Sequence, residues 1–166
     1  MARLETHLGD ITAETTDAIV NAANSGLARG GGVCGAIFAA AGPGLAEACT
    51  TIGGCPTGDA RATPGFALPA RFIVHAVGPV WQGGGHGEAQ LLASAYRRSL
   101  AVADEVGARS VAFPAISTGI FGYPLADATA VAVATVRATV TDAERVRFVC
   151  FDETTLAAYD RELAKG

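Results

Sequence analysis

The chain has 166 residues, of which 50% are hydrophobic and 17% are charged, and its formal net charge is −4. This composition is typical of a globular protein rather than a disordered one, and the length fits one domain. With 12 basic residues against 16 acidic ones and no basic run, the sequence gives no sign of a general nucleic-acid-binding surface.

Residue types exclude further classes of chemistry. Lys165 is the only lysine, so no mechanism can use a lysine in the body of the chain. The four cysteines form no CxxC pair and no Cys/His spacing of a zinc site, and we expect neither a metal nor another cofactor. The N-terminus carries charges where a signal peptide needs an apolar core, and no segment reaches about 18 uninterrupted apolar residues. We therefore expect a cytoplasmic protein without a membrane segment.

Hydrophobic periodicity predicts alternating strands and helices. The predicted strands cover residues 3–8, 18–22, 71–77, 110–116 and 145–151. The predicted helices cover residues 33–41, 45–52, 87–106, 127–140 and a last segment that Asp152 caps and that continues through residue 163. Strands separated by helices favour an α/β fold, in which a mostly parallel sheet has helices on both faces, and we expect a single domain over residues 1–166. Ligands of such sheets bind beyond the carboxyl ends of the strands.

Two glycine-rich loops follow predicted strands and precede predicted helices. The first contains 30-GGGV-33, and the second is 117-STGIFGYP-124. Each loop by itself is an ordinary turn as readily as a ligand site. Glycines let backbone N–H groups approach a ligand, and a helix N-terminus favours negative charge. Together, at one edge of a sheet, the two loops predict a site for a pyrophosphate.

Asn24 comes just after the end of the second predicted strand. An asparagine there is typical of a turn in which its own amide is satisfied. The same amide offers a donor and an acceptor, which would suit a sugar diol. Both interpretations stay open from the residues alone.

Five strings in order resemble the macrodomain family, and more narrowly its MacroD-type branch. They are 9-GDIT-12, 18-AIVNAANSGLARGGGV-33, 74-VHAVGPVW-81, 111-VAFPAISTGIFGYP-124 and the final strand ending at Phe151. The resemblance implies a three-layer α/β/α fold around a mixed, mostly parallel sheet, with ADP-ribose bound at the carboxyl edge. It also implies ADP-ribose and mono-ADP-ribosylated proteins as partners.

The resemblance further implies roles for particular residues. Asp10 would accept a hydrogen bond from the adenine amino group, with the backbone of Ile11 against the same ring and Phe151 stacked on it. A core aromatic ending a strand is the alternative for Phe151. Asn24 would bind the distal ribose. The diphosphate would lie against Gly31, Gly32, Val33, Ser117, Thr118, Gly119, Ile120 and Phe121.

Two residues depart from the branch. MacroD-type enzymes carry an aspartate where this chain has Cys34 and a histidine where it has Phe38. Cys34 could be a nucleophile near a helix N-terminus or could only fill space.

The activity that the resemblance implies is hydrolysis, either removing mono-ADP-ribose from acidic side chains or deacetylating O-acetyl-ADP-ribose. Asn24 and Cys34 are the candidate catalytic residues, and water is activated by the phosphate of the substrate. The alternative is a non-catalytic reader of ADP-ribose.

Overall fold

The computed structural model describes residues 2–166, which form one six-stranded sheet with helices on both faces. The strands are β1 (Arg3–Leu8), β2 (Ala18–Ala23), β3 (Ala60–Pro64), β4 (Phe72–Val77), β5 (Ser110–Phe113) and β6 (Arg145–Cys150). The helices are α1 (Gly32–Ala41), α2 (Gly44–Ile52), α3 (Glu88–Glu105), α4 (Leu125–Ala138) and α5 (Glu153–Ala164), with a 3-10 turn at Ile11–Ala13.

The strand order is β1-β6-β5-β2-β4-β3. Only β3 runs antiparallel to its neighbour β4, and the other adjacent pairs are parallel, which confirms the predicted mixed, mostly parallel sheet. As a result the carboxyl ends of β1, β6, β5, β2 and β4 lie along one edge. The strand β3 was not predicted, because its sequence ARATP lacks an apolar run and Pro64 suits an edge position.

The two faces of the sheet bury separate apolar clusters, which is what makes the fold three-layered. One cluster contains Val20 of β2 and packs under α3, α4 and α5, with Tyr96, Leu100, Val133, Phe148 and Tyr159 among its members. The other contains Ile19 of β2 and packs under α1 and α2, with Ile37, Phe38, Leu45 and Ile73 among its members. Adjacent residues of β2 thus enter opposite clusters, as the two-residue period of a strand requires.

The predicted element boundaries are close to the observed ones, with local exceptions. The strand β5 ends at Phe113, not at residue 116, because Pro114 has no N–H to continue the ladder. Asp152 caps α5 as predicted, since its carboxylate accepts a hydrogen bond of 2.8 Å from the N–H of Thr155. Within residues 2–166 no single helix has the length and apolar composition to cross a membrane, and α1 with α2 reaches them only as a pair bent by 116°.

Candidate functional site

A cavity of about 660 Å³ opens at the carboxyl edge of the sheet. Its volume is in the range of sites for small molecules. All the site residues predicted from the sequence line it: Asp10, Ile11, Asn24, Gly31, Gly32, Val33, Cys34, Ser117, Thr118, Gly119, Ile120, Phe121 and Phe151. Gly30 of the first glycine-rich loop lines it as well, and so do residues to which the sequence assigned no role, among them Gly9, Ala36, Gly78, Ile116 and Thr155. In the sequence, the only feature that could have indicated these residues is their position next to strand ends and glycine loops.

The start of α1 forms one wall and leaves its backbone amides uncapped. Gly31, at the N-cap, has an extended backbone and no side chain to cap the helix, and Gly32 has a φ of 56°. The N–H of Gly35 makes the first helical hydrogen bond, 3.2 Å to the oxygen of Gly31. The amides of Gly32, Val33 and Cys34 therefore have no intrahelical acceptor. These amides and the positive end of the helix favour an anion.

The loop after β5 forms the facing wall, and three of its carbonyl groups accept hydrogen bonds from other residues of the protein. The carbonyls of Ser117, Gly119 and Phe121 accept hydrogen bonds from the N–H groups of Tyr123, Gly122 and Trp81, at 2.9, 3.0 and 2.8 Å. The amide of Thr118 is also used, since it donates to Ala115. Within residues 2–166, the remaining amides of the loop donate no backbone hydrogen bond; they are those of Ser117, Gly119, Ile120 and Phe121. This second set of free donors is what an anion needs.

The two walls lie close enough to act on one ligand. A Cβ atom added at Gly31 would lie 3.3 Å from Cδ1 of Ile120, whose side chain is 82% exposed. At Gly32 and at Gly119 an added Cβ would meet nothing within 4 Å. The side chain of Ile120 therefore reaches across to Gly31, and the space beside Gly32 and Gly119 is open.

Asp10 lies at the end of β1 as a charged rim residue. Its Oδ1 accepts hydrogen bonds from the hydroxyl and the N–H of Thr12, at 2.7 and 2.9 Å. These bonds hold the pKa of Asp10 below its usual value. The other carboxylate oxygen has no partner in the part of the chain that the structure describes. It is available to a donor on a ligand.

Phe151, which follows β6, has a 75% exposed side chain. The interpretation of Phe151 as a core aromatic is therefore wrong. An exposed ring on a cavity rim can stack on a planar ligand.

Asn24 folds its own loop in the structure. Its Nδ2 donates to the oxygen of Ala28 at 2.8 Å, and the N–H of Ala28 donates to its Oδ1 at 3.0 Å. The turn-forming interpretation is therefore correct for the free protein. The side chain also lines the cavity, and each polar atom keeps one unused hydrogen-bonding position for a ligand.

Cys34 lies behind this loop and is 5% exposed. Its sulfur is 3.7 Å from Nδ2 of Asn21 and 3.7 Å from the oxygen of Ala28. Among the described residues, no lysine, arginine or histidine forms a hydrogen bond with the thiol, so the structure offers no base to a nucleophilic Cys34. Phe38 is buried in the cluster under α1 and does not line the cavity.

The cavity has little charge of its own. Of the residues between 2 and 166 that line it, Asp10 is the only charged one. No group of three or more His, Cys, Asp or Glu in those residues is placed to hold a metal ion. Polar contacts with a ligand would come mainly from backbone N–H groups.

A three-layer α/β/α domain whose ligand cleft is walled by backbone amides defines a class of anion-binding α/β proteins. Within that class the chain belongs to the macro domain family, whose Macro domain profile matches residues 20–132. It is 57% identical to the macro domain-containing protein CT2219 of Chlorobaculum tepidum, covering 95% of this chain and 93% of that protein. It is 52% identical to the O-acetyl-ADP-ribose deacetylase of Salmonella typhimurium, covering 99% of this chain and 96% of that protein.

Solved macrodomain structures superpose closely on the chain. An Oceanobacillus iheyensis macrodomain mutant with ADPR matches with a TM-score of 0.91 and 41% identity, covering 96% of this chain and 91% of that one. The Trypanosoma brucei macrodomain in complex with ADP-ribose matches with a TM-score of 0.88 and 39% identity, covering 98% of this chain and 69% of that one.

Proposed function

We propose that the protein binds ADP-ribose and hydrolyses an ester bond at its distal ribose. The observation that carries the proposal is the pair of facing walls, in which the amides at the start of α1 oppose those of residues 117–121 across one open cavity. A pyrophosphate has oxygens on both sides and fits such a pair. The related proteins from Oceanobacillus iheyensis and Trypanosoma brucei, which hold ADPR and ADP-ribose, support the same ligand.

The order of groups along the sheet edge follows the order of groups in ADP-ribose. Asp10 and Phe151 follow the neighbouring strands β1 and β6, residues 117–121 follow β5, and Asn24 follows β2. Adjacent strands are about 4.8 Å apart, so β1 and β2 are separated by about 14 Å. We assign the adenine to Asp10 and Phe151, the diphosphate to the amides, and the distal ribose to Asn24.

The reaction that we propose is attack by water on an ester of the distal ribose. Two substrates fit: O-acetyl-ADP-ribose, which would give acetate and ADP-ribose, and a mono-ADP-ribosylated glutamate or aspartate side chain. The name of the Salmonella typhimurium relative supports the first. Because Asp10 is the only charged lining residue within 2–166, the phosphate of the substrate is the base that we propose for the water. Asn24 would orient the ribose, and holding water and sugar together supplies much of the rate.

A second candidate function is a non-catalytic module that reads ADP-ribose. The observation that favours it is the Cys34 side chain, hydrogen-bonded to Asn21 and Ala28, at the place where the MacroD-type resemblance expects an aspartate. A reader would use the same cavity and the same amides, and would differ only in the absence of turnover.

Two measurements on the same preparation separate these possibilities. Calorimetry with ADP-ribose tests binding, and release of ADP-ribose from O-acetyl-ADP-ribose and from a glutamate-modified protein tests hydrolysis. Binding with release supports the hydrolase. Binding without release, together with activity gained on Cys34→Asp, supports the reader. Absence of binding contradicts both functions.

A further inference from the structure

The loop between β4 and α3 is organised by the carboxylate of Glu88, which is 1% exposed. Its Oε2 accepts the N–H groups of Gln82 and Gly84, both at 2.9 Å, and its Oε1 accepts that of His86 at 2.6 Å. Burial raises the pKa of Glu88, but these backbone hydrogen bonds outweigh it and bring the pKa to about 2. The group is therefore ionised near neutral pH, where its hydrogen bonds are of the strong, charge-assisted kind.

The same loop lies against the indole ring of Trp81. Gly84 has a φ of 93°, and a Cβ added there would lie 3.0 Å from the Trp81 ring. Glycines adopt such backbone conformations freely, so a loop with this composition is not rigid by itself. The three hydrogen bonds to Glu88 give it one arrangement against Trp81.

Trp81 in turn contacts the second wall of the cavity from behind. The backbone N–H of Trp81 donates to the carbonyl oxygen of Phe121 at 2.8 Å, and the centroid of its ring lies 4.6 Å from that of Tyr123. The N–H of Tyr123 donates to the oxygen of Ser117. Trp81 thus donates directly to the carbonyl of Phe121. It also packs on Tyr123, the residue that donates to the carbonyl of Ser117.

These contacts fix which side of each peptide faces the ligand. A carbonyl oxygen turned toward the cavity would repel a phosphate, whereas an N–H would attract it. The bond from Trp81 occupies the Phe121 carbonyl, which leaves the Phe121 amide without an acceptor among the described residues. Preorganised donors of this kind lose little entropy when the ligand binds.

We propose that Glu88 is a positioning residue for the diphosphate site, acting through the loop of residues 82–87 and Trp81 on residues 117–121. The inference rests on the proposed binding of ADP-ribose. Glu88 itself lines no part of the cavity, so it acts on the ligand only through the arrangement of these loops.

The test compares Glu88→Gln with the wild type and with a matched control, Glu105→Gln, an exposed residue at the other end of α3. Because Trp81 is the only tryptophan, its emission reports on this contact in the free protein. We expect Glu88→Gln to shift the emission and to weaken the binding of ADP and of ADP-ribose by about tenfold. Adenosine, which lacks phosphate, should bind within about twofold of the wild type. Glu105→Gln should change neither emission nor affinity.

Each result decides the matter. Wild-type ADP-ribose affinity in Glu88→Gln would overturn the inference whether or not the emission shifts, as would equal losses for adenosine and ADP-ribose. If Glu88→Gln does not fold, Gly84→Ala displaces the same loop without touching the carboxylate. It should show the selective loss of diphosphate ligands, and full affinity there would overturn the inference. If the wild type does not bind ADP-ribose, the proposed function fails instead.

Discussion

The sulfur of Cys34 lies 3.7 Å from the side-chain nitrogen of Asn21. Because an amide nitrogen only donates, the sulfur is the acceptor in this contact, and the thiol hydrogen is free to donate to the Ala28 oxygen, also at 3.7 Å. The same Asn21 nitrogen lies 3.1 Å from Nδ1 of His75, so Nδ1 accepts and the proton is on Nε2, which lies 3.0 Å from Thr63. In this network the Cys34 sulfur accepts from Asn21 and the Cys34 thiol donates to Ala28.

This arrangement predicts how substitutions at position 34 behave. Cys34→Ser keeps a donor and an acceptor in place, so we expect hydrolysis and ADP-ribose affinity close to those of the wild type. Cys34→Ala removes the donor to Ala28 and should weaken ADP-ribose binding by about 0.5–1.5 kcal/mol. Calorimetry and the release of ADP-ribose measure the two effects. If Cys34→Ser abolished hydrolysis at unchanged affinity, the thiol would act chemically and this account would be wrong.

Buried His75 predicts a pH dependence of stability. It has no exposed surface, and burial lowers its pKa from 6.5 to about 4. In the unfolded chain His75 therefore binds a proton as the pH falls below 6.5, whereas in the folded chain it does so only near pH 4. The free energy of unfolding decreases as the pH falls through this window. The loss should be on the order of 3 kcal/mol.

Urea unfolding at pH 6.5, 5.5 and 4.5 measures this loss. The variant His75→Asn keeps an acceptor for Asn21 but does not titrate, so it should have a flatter pH profile than the wild type. Asp59 and Glu88 each have a pKa of about 2 and contribute only at the acid end of this range. Equal slopes for both proteins between pH 6.5 and 5.5 would show that His75 is not the cause.

The sequence predicted most of the fold, because β2 and β4 are apolar runs and α3 has a clear apolar face. It missed β3, whose edge position requires no apolar alternation. It also extended β5 past Pro114, where only the geometry of the ladder shows the end.

The candidate site was predictable as a set of residues but not in its internal contacts. The glycine loops and Asp10 follow strands, so their meeting at one edge follows from parallel topology. No local pattern shows that the Thr118 amide is occupied or that Asn24 binds Ala28 in the free protein. The role of Glu88 was also invisible, because it depends on a turn that brings three amides to one carboxylate.

Asp10 provides a test of the adenine end. Asp10→Ala should weaken ADP-ribose binding by about 1.5–3 kcal/mol, the usual range for a hydrogen bond to a charged group. Asp10→Asn is the matched control for the 3-10 turn, because its side-chain oxygen can still accept from Thr12. If the charge is what recognises the adenine amino group, Asp10→Asn also loses affinity while the free protein stays as stable as the wild type. Unchanged affinity in both variants by calorimetry would remove Asp10 from the ligand site.

Gly35 tests whether the first wall depends on a close backbone approach. A Cβ atom added there would lie 2.6 Å from the oxygen of Gly30, a backbone atom that cannot move without shifting the loop. We expect Gly35→Ala to displace the start of α1 from its loop and to weaken ADP-ribose binding by about 1–3 kcal/mol. Gly26→Ala, in the loop before α1, is the matched control, since the nearest contact of its added Cβ, Oδ1 of Asn24, would be an ordinary 3.6 Å away. Calorimetry gives the affinities, and amide chemical shifts of residues 30–34 show whether the wall moved. Full affinity in Gly35→Ala, with those shifts displaced, would mean that the amides of α1 do not hold the diphosphate.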